Sequence, residues 1–192
     1  MPRAGLSQAA VIHAAATIAD TKGVGAVSLA RIAEQVGVRS PSLYKHVDGL
    51  AGVMRGLALL GIKGAERRIS TATVGLSGDD ALVAMAAALW QFALDHPGLY
   101  AASTSTPDPN DEELVAANEE LRETVLAGLR AYRLEDEDAY HAVRGLRAIV
   151  HGFVDLQVSG GFGMPIDVRE SFMRLVALFV RGLRGAAGTQ LN

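Results

Sequence analysis

The 192-residue sequence predicts an all-α fold of about nine helices, on three observations. Strand signals are sparse, and Ala, Leu, Val and Gly fill the stretches between capping residues. Apolar side chains recur at i, i+3, i+4 and i+7, which is one face of a 3.6-residue helix. Gly, Pro, Ser and Asp punctuate these runs at positions that suit helix ends. The length suffices for one large or two small domains with a real core. Cysteine is absent, which excludes disulfides and thiolate metal sites and fits a reducing compartment. No apolar run reaches membrane-spanning length and no signal-peptide pattern opens the chain, so a soluble, cytoplasmic protein is expected.

The first helix is expected over Leu6 to Thr21, capped by Ser7 and ended by Lys22-Gly23. Val11, Ile12, Ala15, Ala16 and Ala19 form its buried face. Ser28 caps a second helix whose apolar face is Leu29, Ile32, Ala33 and Val36, and Gly37 lets the chain stop and turn left-handed. Ser40 reads as another N-cap, with Pro41 at the first helical position, where its missing N–H costs nothing. In this short third helix Leu43 and Val47, four apart, point inward. Arg39, Ser40, Ser42, Tyr44, Lys45 and His46 face outward and carry donors for phosphates and base edges.

Asp48-Gly49 turns into a fourth helix from about Leu50 to Ile69. Gly52, Gly56, Gly61 and Gly64 make it poor on propensity, which implies either tight packing or a connector able to shift. Ser70 to Gly78 reads as a loop. Asp79 and Asp80 open the next helix near its positive end, and from Ala81 to Leu94 only Gln91 is polar, so that helix is buried on nearly every side. His96-Pro97-Gly98 stops it, and Leu99 to Ala102 reads as one short turn. Asn110 to Tyr132 is amphipathic, with Leu114, Ala117, Leu121, Val125 and Leu129 inward and a run of Glu in water. Glu135 to about Ser159 follows, and Gly160-Gly161-Phe162-Gly163-Met164-Pro165 breaks it. Asp167 opens the last helix, where Val168, Phe172, Leu175, Val176, Phe179 and Leu183 form one stripe. Met173, Ala177 and Val180 lie on another side, so this helix packs on the body and on something else, most simply a second copy.

The segment Gly37 to Val47, GVRSPSLYKHV, closely resembles the recognition-helix signature of the TetR family of bacterial one-component repressors. The core Leu43, Tyr44 and His46 is its most specific part. Asp95-His96-Pro97-Gly98-Leu99-Tyr100, through His151-Gly152-Phe153 to Phe172, resembles a C-terminal domain type of that family that pairs an H-P-x-L-Y element with an H-G motif on helix 8. The resemblance implies nine helices. Residues 1–49 would be a helix-turn-helix DNA-binding domain, and residues 50–192 a ligand-binding and dimerisation domain with about 50–69 as connector. The sequence departs from the family at Leu50, where a basic residue that touches phosphate is common.

Charge distribution agrees with that division. Residues 1–63 hold Arg3, Lys22, Arg31, Arg39, Lys45, Arg55 and Lys63 against Asp20, Glu34 and Asp48, a balance of +4 within a chain of net charge −3. A basic N-terminal module on an acidic body suits a DNA reader, because a phosphate backbone responds to the local patch.

The DNA-contact candidates are Ser28, Arg39, Ser40, Pro41, Ser42, Tyr44, Lys45 and His46. The resemblance implies phosphate contacts for Tyr44 and His46 and base-facing positions for Ser42 and Lys45. Arg39 can take guanine or phosphate, Ser28 can donate to phosphate as well as cap, and Pro41 reads as structural. The effector-wall candidates are Met85, Leu89, Trp90, Phe92, Tyr100, Leu121, Val150, Phe153 and Val154. They make an apolar pocket for a small hydrophobic or aromatic molecule. His151 belongs to a polar stripe with Arg144, Arg147 and Asp155. That stripe is either a seam at a dimer interface or in solvent, or an anchor for the ligand's polar end. His96 reads as a helix-end cation, and no metal or cofactor is expected. The dimer-interface candidates are Phe172, Met173, Val176, Phe179 and Val180.

No phosphate-binding glycine loop, nucleophile elbow or H-E-x-x-H motif is present, so an enzyme is not expected. The expected function is a homodimeric, ligand-responsive transcriptional repressor on a palindrome-like operator. The alternative is a helical dimeric adaptor or sensor that has lost DNA binding.

Overall fold

The structure, a computed structural model, describes residues 6–186; Arg3, counted in the basic segment, lies outside the described residues. Among the described residues every regular element is helical. The chain forms two compact units, Met1–Gly64 with Asp95–Ala117 and Ala65–Leu94 with Asn118–Asn192. The first therefore takes in more than residues 1–49, adding part of the fourth helix and a segment nearly fifty residues downstream.

In the first unit, α1 (Gln8–Lys22) starts at Ser7, whose hydroxyl accepts the backbone N–H of Ala10 at 3.2 Å, and ends at Gly23. Its apolar positions are buried as expected, joined by Ala14 and Ile18. A 3-10 turn, Val24–Ala26, leads to α2 (Leu29–Val36), capped by Ser28 and closed by Gly37 in the left-handed region at φ 72°. The recognition segment, Ser40–Lys45, is a 3-10 helix with Arg39 at its N-cap position. Ser40 is thus not a cap. The segment is only six residues long, Pro41 lacks an N–H, and the i+3 bonds from Ser42 to Arg39 (2.9 Å) and His46 to Leu43 (2.8 Å) close it.

Next comes α3 (Gly49–Ala72), longer than the glycines suggested. Ile62, Ala65 and Ile69 are buried at helical spacing, so tertiary packing carries the helix across its glycines, and it runs on through the exposed residues 70–72 rather than ending at Ile69. Its glycines fit the packing explanation at two places: a Cβ at Gly56 would overlap Ile12, and one at Gly61 would overlap the Leu99 carbonyl. After α4 (Gly78–Asp95), residues 97–103 form a genuine short helix, α5 (Pro97–Ser103), rather than a single turn. The carboxylate of Asp20 on α1 supplies the missing cap, accepting the N–H groups of Gly98 and Leu99 at 2.9 and 3.0 Å.

The rest of the chain comprises α6 (Glu112–Leu129), a 3-10 turn (Arg130–Tyr132), α7 (Asp136–Val158) and α8 (Val168–Ala186). Asp167 caps α8 through the N–H groups of Arg169 and Glu170. The second unit centres on Leu82, Ala86, Val150, Phe172 and Val176, each fully buried. At its rim the Tyr132 hydroxyl donates to Asp79 at 2.6 Å, and Arg184 pairs with the same carboxylate. The Tyr132 bond, with Arg184 behind it, holds the Asp79 carboxyl below its ordinary range, while burial and Asp79 push the Tyr132 phenol well up.

Candidate functional site

The recognition segment is held from beneath and open above. Leu43 is fully buried and Val47 nearly so, while Tyr44 is 63% exposed. Arg39, Pro41, Ser42 and Lys45 are exposed with it, and Ser40 and His46 are half-buried. The structure thus brings Arg39, Ser42, Tyr44 and Lys45 onto one solvent-facing segment. Ser28 lies at the N-terminus of α2, its hydroxyl accepting the Arg31 N–H at 3.3 Å. It is therefore already engaged as a cap.

Between the end of this segment and α3 lies a cleft of about 320 Å³ lined by Gln8, Tyr44, Lys45, His46, Gly52 and Arg55, among others. Lys45, His46 and Arg55 bring nitrogen groups to it, Gln8 adds an amide at the start of α1, and Asp48 adds a carboxylate. Arg55 and Gln8 were not candidates in the sequence, because neither belongs to the signature. Leu50, which replaces the usual basic residue, is 42% exposed and offers no donor.

Arg55 also faces away from the cleft. Its guanidinium meets Asp111 in a two-point pair, Nε to Oδ2 at 2.6 Å and Nη2 to Oδ1 at 2.7 Å, and donates to Glu113 at 3.0 Å. Lys63, two turns along α3, reaches Glu113 at 3.3 Å. The Arg55 bonds hold the Asp111 and Glu113 carboxyls below their ordinary range, with Lys63 assisting at Glu113, and the two carboxylates raise the guanidinium in turn. The start of α6 is thereby fastened to α3. Nothing local in the sequence signals this, since the partners are 50 to 58 residues apart.

Packing fixes α1 in the same way. Gly98 lies so close to α1 that a Cβ there would overlap the backbone of Ala19. His96, directly after the end of α4 and at the N-cap position of α5, has Nδ1 3.0 Å from Asp20 Oδ2.

The effector-wall candidates divide. Met85, Trp90, Phe92, Val150, Phe153 and Val154 are buried in the second unit, with Leu89 and Leu121 half-buried there. Trp90 stacks on Phe172 and donates its indole N–H to Gln157 at 2.9 Å. Tyr100 belongs to the first unit. His151 and Asp155 are exposed along with Arg144 and Arg147, so the polar stripe runs on the outer side of α7, apart from the buried rings.

Of the dimer-interface candidates, Phe172, Val176 and Val180 are buried within the single chain, because α8 turns them onto its own unit, while Met173 and Phe179 are half-buried. The outward stripe of α8 is instead Arg174, Ala177, Leu178 and Arg181, with Leu178 59% exposed. Among the described residues no helix is long and apolar enough to cross a membrane, and no three metal-binding side chains cluster.

Comparison with known proteins accords with this geometry. Residues 11–47 match the family model described as bacterial regulatory proteins of the tetR family, and residues 82–179 match the tetracyclin repressor-like C-terminal domain. The chain is 35% identical over 182 residues to YobS, an uncharacterised HTH-type transcriptional regulator of Bacillus subtilis, covering 95% of each chain. It is 32% identical to another such regulator from Mycobacterium tuberculosis, covering 93% of this chain and 82% of that one. In fold it is similar to a protein of unknown function from Rhodococcus sp. RHA1 (TM-score 0.80, 22% identity, 96% and 99% of the two chains). It is also similar to a TetR variant from Acinetobacter baumannii in complex with minocycline (TM-score 0.73, 18% identity, 97% of each chain). The chain belongs to the TetR family of bacterial HTH-type transcriptional regulators.

Proposed function

We propose that the protein is a homodimeric repressor released from its operator by a small hydrophobic or aromatic molecule. The observation that carries the DNA half is the recognition segment: Tyr44 and Lys45 stand exposed above a buried Leu43. A phosphate at the mouth of the cleft between this segment and α3 would meet Lys45 and His46, while the Arg55 guanidinium stays bound to Asp111 and Glu113. Ser42, Lys45 and Arg39 are then placed toward the base edges, with Ser40 and Pro41 shaping the turn. One such segment reads few base pairs, so two copies are needed, with half-sites about 34 Å apart or somewhat more. The outward sides of α7 and α8, carrying Leu156 and Leu178, are the surfaces on which a second copy would pack.

The effector half draws on the ring cluster around Trp90, apolar with one polar partner in Gln157. Release requires only a few kcal/mol of differential affinity between the two states. The test is an electrophoretic mobility shift on DNA flanking the gene, with Tyr44→Ala/Lys45→Ala beside the parent. Retarded DNA with the parent alone is expected. Equal binding by the double variant would refute the assignment. If a folded dimer binds neither this DNA nor a genomic fragment pool, the adaptor reading, favoured by exposed Leu50, replaces it.

A further inference from the structure

The second unit contains four aromatic rings in series, ending in a loop. Trp90 stacks on Phe172 with centroids 5.0 Å apart and planes within 20°. Phe172 meets Phe153 at 5.1 Å, and Phe153 meets Phe162 at 4.7 Å, both tilted. The first three rings are buried, whereas Phe162 is 36% exposed.

The backbone explains how Phe162 differs from the others. At the end of α7 the Gly160 N–H bonds the Gln157 carbonyl at 3.2 Å and the Gly161 N–H bonds that of Leu156 at 2.7 Å. Gly160 is left-handed at φ 76°, the pattern that closes a helix and releases the chain. Phe162 therefore sits outside both α7 and α8, between Gly161 and Gly163, with its ring against that of Phe153. A ring borne on a helix moves by side-chain rotation alone unless a turn unfolds. This one can leave by rotation of a glycine-flanked loop.

We propose that Phe162 is an internal plug occupying the seat of a planar aromatic effector, which binds against Phe153 by displacing it. The inference rests on the effector-responsive reading above and names the chemistry that reading leaves open. A flat ring replaces a flat ring. Gln157, whose carbonyl already accepts the Trp90 N–H, has amide N–H donors for a polar substituent. An aromatic pair of ordinary strength implies that the plug weakens effector binding about two- to tenfold.

The experiment titrates N-phenyl-1-naphthylamine into the full-length protein and reads energy transfer from Trp90, the one tryptophan in the chain. Phe162→Ala should bind the probe about two- to tenfold more tightly than the parent, with transfer from Trp90 retained. Met164→Ala, which removes a 73% exposed apolar side chain from the same loop, should bind like the parent. Unchanged or weaker binding by a folded Phe162→Ala variant would overturn the proposal. So would equal tightening by Met164→Ala, or a bound probe that draws no energy from Trp90. The measurement involves no DNA, so its failure is separable from a failure of operator release.

Discussion

Gly98→Ala sets two effects of opposite sign against each other. In a helix, replacing Gly by Ala gains up to about 1 kcal/mol from the unfolded chain's lost freedom. Against that, the new Cβ would overlap the backbone of Ala19, which cannot swing aside as a side-chain tip would. Forcing one extra carbon into a packed contact costs about 1–3 kcal/mol. Moving α5 outward also stretches the two N–H bonds to Asp20, and each bond to a charged group is worth about 1.5–3 kcal/mol when intact. The net expectation is destabilisation by about 2–4 kcal/mol. At about 2–4 °C per kcal/mol for a chain of this size, the unfolding midpoint should fall by about 5–15 °C. Thermal circular dichroism of the protein at fixed concentration measures it. An unchanged or raised midpoint would show that propensity outweighs packing and that α1 and α5 are not in close register.

Phe172→Ala removes a ring with no exposure and should cost about 3–5 kcal/mol, while shifting Trp90 emission to longer wavelength as its stacking partner is lost. Unchanged emission would contradict the stack. Asp111 and Glu113 have lowered folded-state pKa values, so the stability they confer is present above the ordinary carboxylate range, near pH 4, and is lost as pH falls through the lower folded values. Asp111→Asn/Glu113→Gln should therefore flatten the acid limb of the stability profile below about pH 4 and weaken its dependence on salt, as denaturation at graded pH would show. Leu178→Glu places a charge on the outward side of α8 and should leave helicity intact while sedimentation shows monomer and operator affinity falls. A persistent dimer would place the interface elsewhere.

Most helices were legible because their ends are written locally: Ser7, Ser28 and Asp167 cap as their side chains suggest, and Gly37 turns left-handed where the pattern stops. What escaped had no local signal. Helix α5 exists because Asp20, nearly eighty residues earlier, accepts its first N–H groups. Ile62, Ala65 and Ile69 carry α3 past a glycine-rich stretch whose propensity argued against it. Phe172, Val176 and Val180 read as an interface because two apolar faces on one helix imply two partners. Within the chain α8 packs on α7, Phe172 stacks on Trp90, and all three are buried. The outward side chains of the recognition segment were found because an exposed polar row above a buried Leu43 is a one-dimensional pattern. Arg55 was missed because its neighbours in the cleft come from three separate elements.

These long-range contacts bear on how the recognition segment is aimed. It packs on α2, and α2 packs on α1. Two further contacts set α1: the bare approach of Gly98 to Ala19, and the Asp20 carboxylate held by α5 and His96. Behind the same segment, Arg55 is fastened to the start of α6. The position of Tyr44 and Lys45 in space therefore depends on residues 96–113 as directly as on the turn that carries them. A substitution at Gly98 or Asp111, with no reach to DNA, should then alter operator affinity at constant salt without narrowing the difference between cognate and mismatched sequences. Substitutions at Ser42 or Lys45 should narrow it. Competition binding against mismatched operators separates the two classes. A Gly98 variant that relaxed base preference while remaining folded would mean that α5 does more than hold α1 in place.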